Sequence, residues 1–234
     1  MTNEVHIGEL DVAYEAWGDP LAPPMVLLHG LGEDHTTWTR VAPAIALTNR
    51  VYAPDLRGHG ASGRCERYSF QLMRDDLLGF LDILGIDRAI VIGHSVGGMP
   101  GWLAAQDHPD RLAALVSIEC PPPRGELTRP IPPRPAHPLP FDWAVIESVI
   151  EQINHPQPEW WDRLVEIQIP ALVVAGGPES DVPQDLMAQV AAAVPGAQLV
   201  TIAGGHHLHQ SRSDEFVAAL QAFLADVGKA DQTV

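Results

Sequence analysis

Gly93-His94-Ser95-Val96-Gly97 is the stretch whose reading decides the fold. The run before it, Arg88-Ala89-Ile90-Val91-Ile92, is short, apolar and β-branched, the composition of a buried strand. After it, Met99 to Gln106 has helical spacing and stops at His108-Pro109, because the residue before a proline resists the α region. A serine at a strand-to-helix switch, with glycine two residues away on each side, has the pattern of a nucleophile elbow. Side chains at 93 and 97 would strike neighbouring backbone in so tight a turn, and Ser95 is expected in a strained conformation that exposes its hydroxyl. The plainer alternative is a glycine-rich turn with no chemistry.

The chain has 234 residues, enough for one sizeable core, is 46% hydrophobic and has a mean hydropathy near zero. Its net charge of −16 repels nucleic acid and anionic membrane, so neither is an expected partner. Met1-Thr2-Asn3-Glu4-Val5-His6 lacks the basic and apolar regions of a secretion signal, and no run is long enough to span a bilayer. A cytoplasmic location is expected, with a monomer or a homodimer both open. Cys65 and Cys120 make neither a disulfide framework nor a zinc pattern and read as packed thiols.

Along the chain, residues 7–17 read as an antiparallel hairpin. Met25-Val26-Leu27-Leu28, ending in His29-Gly30-Leu31-Gly32, has no polar face and fits a parallel sheet covered on both sides. Thr36 or Thr37 is expected to cap a helix over 38–47, and Ser69 a long helix through Leu84 that Gly85 ends. Strands are expected at 50–54, 112–118, 169–176 and 198–202, and helices at 141–153, 184–193 and after Ser211 or Ser213. Between Pro121 and Pro140 nine of the residues are proline, so that stretch is neither helix nor central strand. The order predicts an α/β fold: a mostly parallel, doubly wound sheet formed by 1–120 and 166–234, with 121–165 inserted as a small Pro- and Trp-rich helical cap.

A serine hydroxyl needs a base, usually histidine, oriented by a carboxylate. In the chain order serine, acid, histidine, the base falls after the last strand, where Gly204-Gly205-His206-His207-Leu208-His209 stands. With His29-Gly30, Asp55-Leu56-Arg57-Gly58-His59-Gly60-Ala61-Ser62, the Ser95 turn and Gly205-His206 each at a strand end, the chain resembles the α/β-hydrolase superfamily over nearly all its length outside 121–165. The resemblance makes His206, directly after glycine, the base, and adds the backbone N–H of Leu31 to that of Val96 as the oxyanion donors. It points to His29, Trp38 and His94 near the pocket, with His29 also suited to bracing its loop, and makes Arg57 and His59 structural. A metal at His206, His207 and His209 lacks a supporting Cys or Glu pattern, so no metal or cofactor is expected.

The acid is open at this stage. The commonest family arrangement places an aspartate within Gly176-Gly177-Pro178-Glu179-Ser180-Asp181-Val182-Pro183, where Glu179 occupies its position and Asp181 lies two residues late. Another branch places it after the strand following the nucleophile helix, where Glu119 stands. An unpaired buried carboxylate is costly, and serving a histidine gives Glu119 a reason to be there; it ranks ahead of Glu179, with Asp181 third. In the cap, Phe141 and Trp143 are candidates to line an apolar pocket. A serine at 95 disfavours the epoxide and haloalkane chemistries of the family, which use aspartate. It favours hydrolysis of an ester, lactone or thioester of a small molecule. Carbon–carbon bond hydrolysis and a slow or non-catalytic small-molecule receptor stand as alternatives.

Overall fold

The computed structural model describes residues 2–125 and 128–231. Its strands are β1 (Asn3–Ile7), β2 (Leu10–Trp17), β3 (Pro24–Leu28), β4 (Arg50–Pro54), β5 (Ala89–His94), β6 (Leu112–Ile118), β7 (Ala171–Ala175) and β8 (Gln198–Thr201). They form one eight-stranded sheet in the order β1-β2-β4-β3-β5-β6-β7-β8. The β1–β2 and β2–β4 pairs are antiparallel and every other pair is parallel. The helices are α1 (Ala42–Ile45), α2 (Phe70–Ile83), α3 (Gly98–Asp107), α4 (Trp143–Asn154), α5 (Glu159–Asp162), α6 (Gln184–Ala193), α7 (Leu208–Ser211) and α8 (Ser213–Asp231). None of them, among the described residues, is long and apolar enough to cross a membrane.

Successive side chains of a strand point to opposite faces, so a strand with no polar face feeds two cores. In β3, Val26 and Leu28 join Phe70, Met73, Phe80, Trp102 and Met187, from α2, α3 and α6. Met25 and Leu27 join Trp38, Ile45, Phe216, Leu220 and Phe223 on the other face. The same division runs through β7, with Val173 on the first side and Leu172 and Val174 on the second.

The helix expected over 38–47 is corrected by the structure to a 3-10 turn, His35–Trp38, followed by the short α1. Asp34, rather than Thr36 or Thr37, caps that turn, accepting from Thr36 N at 2.9 Å. Pro43 sits in the first turn of α1, where a missing N–H costs nothing, so the chain starts a second helix there instead of continuing the first. The helix beginning at Ser69 forms as its cap requires, with Leu72 N donating to Ser69 Oγ at 3.1 Å.

Between β6 and β7 the described proline-rich residues carry no helix or named strand until α4. Asp142 caps that helix through Ala144 N at 3.2 Å, and its other oxygen accepts from Tyr68 OH at 2.9 Å. Gln152 accepts from Phe70 N at 3.0 Å. These bonds seat α4 on the start of α2 and so carry the excursion over the carboxyl ends of the parallel strands.

A close backbone approach lies under the serine turn. A Cβ on Gly97 would stand 2.4 Å from His29 O and 2.5 Å from Leu28 O, and one on Gly93 would stand 2.3 Å from Gly97 O. Gly97→Ala is therefore expected to destabilise by about 2–3 kcal/mol, as overpacking against backbone does. Gly228→Ala, in α8 with nothing within 4 Å, is expected to stabilise by about 0.5–1 kcal/mol. Denaturant unfolding of the two variants checks this; equal stability of Gly97→Ala and the natural chain contradicts the packing described.

Candidate active site

Leu31, Ser95, Glu119 and His206 follow β3, β5, β6 and β8 respectively, so the sheet delivers all four to the carboxyl ends of its parallel strands. Two of them share an uncommon backbone. Among the described residues Ser95 (φ 51°) and Glu119 (φ 52°) are the only non-glycine residues with positive φ. An L residue held there costs about 1–2 kcal/mol, and such strain persists where the surroundings over-determine it. At Ser95 the surroundings are the glycines at 93 and 97. At Glu119 they are bonds to the next carbonyl, with Trp102 Nε1 and Ser117 Oγ donating to Cys120 O at 2.9 and 3.1 Å.

Ser95, Val96, Glu119 and His206 line one cavity of about 350 Å³. Glu119 is only 2% exposed. Its Oε1 accepts from Gly176 N at 2.5 Å and Gln184 Nε2 at 3.3 Å, and its Oε2 accepts from Ser180 Oγ. His206 Nδ1, which has no hydrogen-bond partner among the described residues, stands 3.6 Å from Oε2. Burial raises the Glu119 pKa, but His206, Ser180, Gly176 and Gln184 outweigh it and hold the carboxyl below its ordinary value. Gly176 is needed for this approach: a Cβ there would lie 3.0 Å from Glu119 Cδ and 2.4 Å from Gly205 O. Of the competing acids, Glu179 is exposed, and Asp181 is exposed on the cavity wall. The loop after β7 and the first residue of α6 thus contribute Gly176, Ser180 and Gln184 as donors to Glu119.

Val96 is the second residue of the 3-10 turn Ser95–Gly97 that runs into α3, so its N–H lies at a helix start, where donors are free and the dipole favours negative charge. Leu31 is half-buried in the turn after β3. That turn is tied down by a residue with no motif of its own. Glu33 Oε2 accepts from Gly30 N at 2.8 Å and lies 3.2 Å from His94 Nδ1, while Oε1 lies 3.1 Å from His207 Nε2. His94 Nε2 in turn donates to His206 O at 2.8 Å. One carboxylate therefore joins the loops carrying Leu31, Ser95 and His206. Burial opposes its ionisation, but the bonds from His94 and Gly30 and the nearby histidine charge prevail and lower its pKa to about 2.

The five residues expected on the pocket wall are elsewhere. His29 braces its loop, Nε2 accepting from Leu56 N at 2.9 Å. His94 is buried beneath the base loop, and burial lowers its pKa. Trp38 packs in the opposite core with its ring 4.6 Å from that of His209. Phe141 covers Gly32, 3.3 Å from where a Cβ would stand, and Trp143 stacks beside it at 6.5 Å. The apolar wall comes instead from Phe70, Met99, Ile153 and Leu186. The clustered histidines face different partners, His206 the Glu119 carboxylate, His207 Glu33 and His209 Trp38. Arg57 and His59 are structural, Arg57 gripping Asp76 with two bonds of 2.5 and 2.6 Å.

A carboxyl whose folded pKa lies below its ordinary 4.5 stabilises the fold above pH 4.5 and loses that contribution as pH falls towards 2. Glu33→Gln is expected to cost on the order of 2–3 kcal/mol at pH 7, with the difference from the natural chain shrinking below pH about 4.5. Urea unfolding across that range measures it; a pH-independent difference contradicts the role given to this charge.

Comparison with known proteins agrees with this geometry. A family model described as the alpha/beta hydrolase fold matches residues 23–146, more than half of the chain. The putative carbamate hydrolase RutD of Caulobacter sp. (strain K31) is 28% identical over 267 residues, covering 93% of this chain and 97% of its own. Epoxide hydrolase A of Mycobacterium tuberculosis is 39% identical over 108 residues, which are 44% of this chain. The match spans only 34% of that relative's length. A solved structure described as Est816, an N-acyl homoserine lactone degrading enzyme, superposes with a TM-score of 0.81 at 27% identity, covering 94% of this chain and 100% of its own. With the sheet order, the serine turn and the family match in agreement, the chain belongs to the α/β-hydrolase fold family.

Proposed function

We propose that the protein is a serine hydrolase that cleaves an ester, lactone or thioester of a small molecule through an acyl-Ser95 intermediate. The observation that carries this reading is the coincidence of strain and site. The two non-glycine residues with positive φ, Ser95 and Glu119, both open onto the cavity lined by His206. The cavity, about 350 Å³, suits a small substrate, and its apolar wall suits an apolar acyl or alcohol part.

In this mechanism Ser95 Oγ attacks the carbonyl carbon and His206 takes the hydroxyl proton. His206 Nδ1 faces Glu119, which leaves Nε2 for the serine, and the carboxylate stabilises the imidazolium that forms. The carbonyl oxygen, now an anion, accepts from Val96 N–H and Leu31 N–H. Collapse of the tetrahedral intermediate breaks the bond to the leaving group, which departs with the proton held by His206. Water then gives a proton to His206 and its hydroxide to the acyl carbon, releasing the acid and restoring Ser95. A serine at 95 supports acyl transfer over the epoxide chemistry named for the Mycobacterium relative.

Turnover of short 4-nitrophenyl esters and labelling by a fluorophosphonate test this directly. Ser95→Ala is expected to lower kcat by about four to six orders of magnitude and to abolish labelling. Glu119→Gln is expected to lower kcat by about 10³–10⁴-fold, and Glu179→Gln by less than about tenfold. A severe loss at Glu179 with a mild one at Glu119 overturns the acid. Tight ligand binding with neither turnover nor labelling makes the protein a receptor instead.

A further inference from the structure

The described hydrogen bonds to the Glu119 carboxylate all come from one segment, 176–184. Oε1 accepts from Gly176 N at 2.5 Å and from Gln184 Nε2 at 3.3 Å, and Oε2 accepts from Ser180 Oγ. The main chain is tied the same way, with Glu119 N donating to Val174 O in β7 at 3.0 Å. His206 faces Oε2 from the loop after β8, and at 3.6 Å its Nδ1 stands outside hydrogen-bond range. That loop is held by Gly205 N, which donates to Gly176 O at 3.0 Å, and by His206 O, which accepts from His94 Nε2 at 2.8 Å. Main chain is thus fixed on both sides of the gap. The half-buried His206 ring, on the cavity wall, is the part left to close it.

Ser180 is the donor on the oxygen that His206 needs. A hydroxyl has one hydrogen to give and two lone pairs to receive with. Val182 N donates to Ser180 Oγ at 3.0 Å, which occupies the oxygen as an acceptor and leaves its hydrogen for Oε2. Val182 also lines the cavity at Ser95, whereas Ser180 is not among the described lining residues. Two hydrogen bonds in series therefore join the cavity wall to the acid. Ser180 pulls Oε2 towards the loop after β7, on the side away from the His206 ring, and Gly176 N holds the other oxygen on that same loop.

Resting on the acyl-serine reading above, we propose that Ser180 is a positioning residue that holds Glu119 Oε2 back from His206 in the resting protein, so that the bond between acid and base closes only when His206 has taken the proton of Ser95. A neutral imidazole N–H competes poorly with the Ser180 hydroxyl for that oxygen. An imidazolium prevails, because a charge-assisted bond is about twice as strong as a neutral one. The Ser95 proton goes to His206 Nε2, the Nδ1 proton stays on the ring, and none passes to Glu119. The bond is then made more fully in the transition state than in the ground state, which is the condition for it to raise kcat.

The test compares the resting natural chain with Ser180→Ala by NMR in mildly alkaline buffer, without inhibitor. In Ser180→Ala the His206 ring is expected to reach Oε2, giving a downfield Nδ1–H resonance and ring 15N signals of a single Nδ1–H tautomer. The natural chain is expected to show neither, and Ser180→Thr, which restores the hydroxyl, to resemble the natural chain. Ser180→Cys, a weak donor of similar size, is expected to lie between and replaces Ser180→Ala if that variant fails to fold. Loss of a merely structural serine would loosen Glu119 and could not strengthen its bond to His206. A bond already present in the natural resting protein, or one that fails to form in Ser180→Ala, overturns the proposal. With 4-nitrophenyl esters, Ser180→Ala is expected to lower kcat by about three- to tenfold at a KM within about twofold of the natural value, on the scale of one hydrogen bond. An unchanged or raised kcat in a variant that has formed the bond overturns the benefit of late closure. If no ester is cleaved and fluorophosphonate does not label Ser95, the acyl-serine reading fails by itself. The NMR comparison needs no turnover and still decides whether Ser180 keeps the two groups apart.

Discussion

A carboxylate withdrawn from water at the end of a buried strand must find a partner for each oxygen, or its burial costs several kcal/mol. Glu119 meets that demand by drawing three loops together. Gly176 N and Gln184 Nε2 serve one oxygen, and Ser180 Oγ and the facing His206 ring serve the other. The loops after β6, β7 and β8 are thereby fixed relative to one another. The left-handed backbone at Glu119 is the local cost of turning its side chain towards them. Gly176 has no side chain because the carboxylate and Gly205 O occupy the space a Cβ would need.

A second carboxylate does for the loop after β3 what Glu119 does for the loops after β6, β7 and β8. Glu33 ties Gly30 N to the rings of His94 and His207, and His94 carries the connection on to His206 O. The nucleophile turn between them is held by backbone contact alone, with glycine at 97 pressed against the end of β3. One buried carboxylate, one half-buried carboxylate and one close backbone approach thus hold the loops carrying Leu31, Ser95, Glu119 and His206 in fixed positions.

What was legible in the sequence is what strand ends encode locally. The elbow, the glycine before His206 and a carboxylate directly after a run of buried residues each announce themselves within a few positions, and the parallel sheet follows from apolar runs with no polar face. Residues whose role depends on distant partners were not legible. Glu33 carries no pattern, because the histidines it meets stand in other loops far along the chain. Ser180 lies in a stretch whose pattern suggests an acid and Gln184 just beyond it, and their function as donors exists only once Glu119 reaches across from the neighbouring strand. Trp38 shows why position in a motif does not place a side chain: it follows the β3 loop yet points into the core on the far face, among Met25 and Phe216. The helix over 38–47 was lost to Asp34 and Pro43, one capping early and the other restarting the chain.

In the proposed triad the charge serving His206 comes from the strand next to the nucleophile. Proton NMR of the protein carrying a boronate adduct on Ser95 tests it most directly, through the far-downfield resonance of the His206 Nδ1–H held by a carboxylate. The account predicts that this resonance is present in the natural chain and in Glu179→Gln and absent in Glu119→Gln. A resonance that persists in Glu119→Gln and vanishes in Glu179→Gln would contradict it.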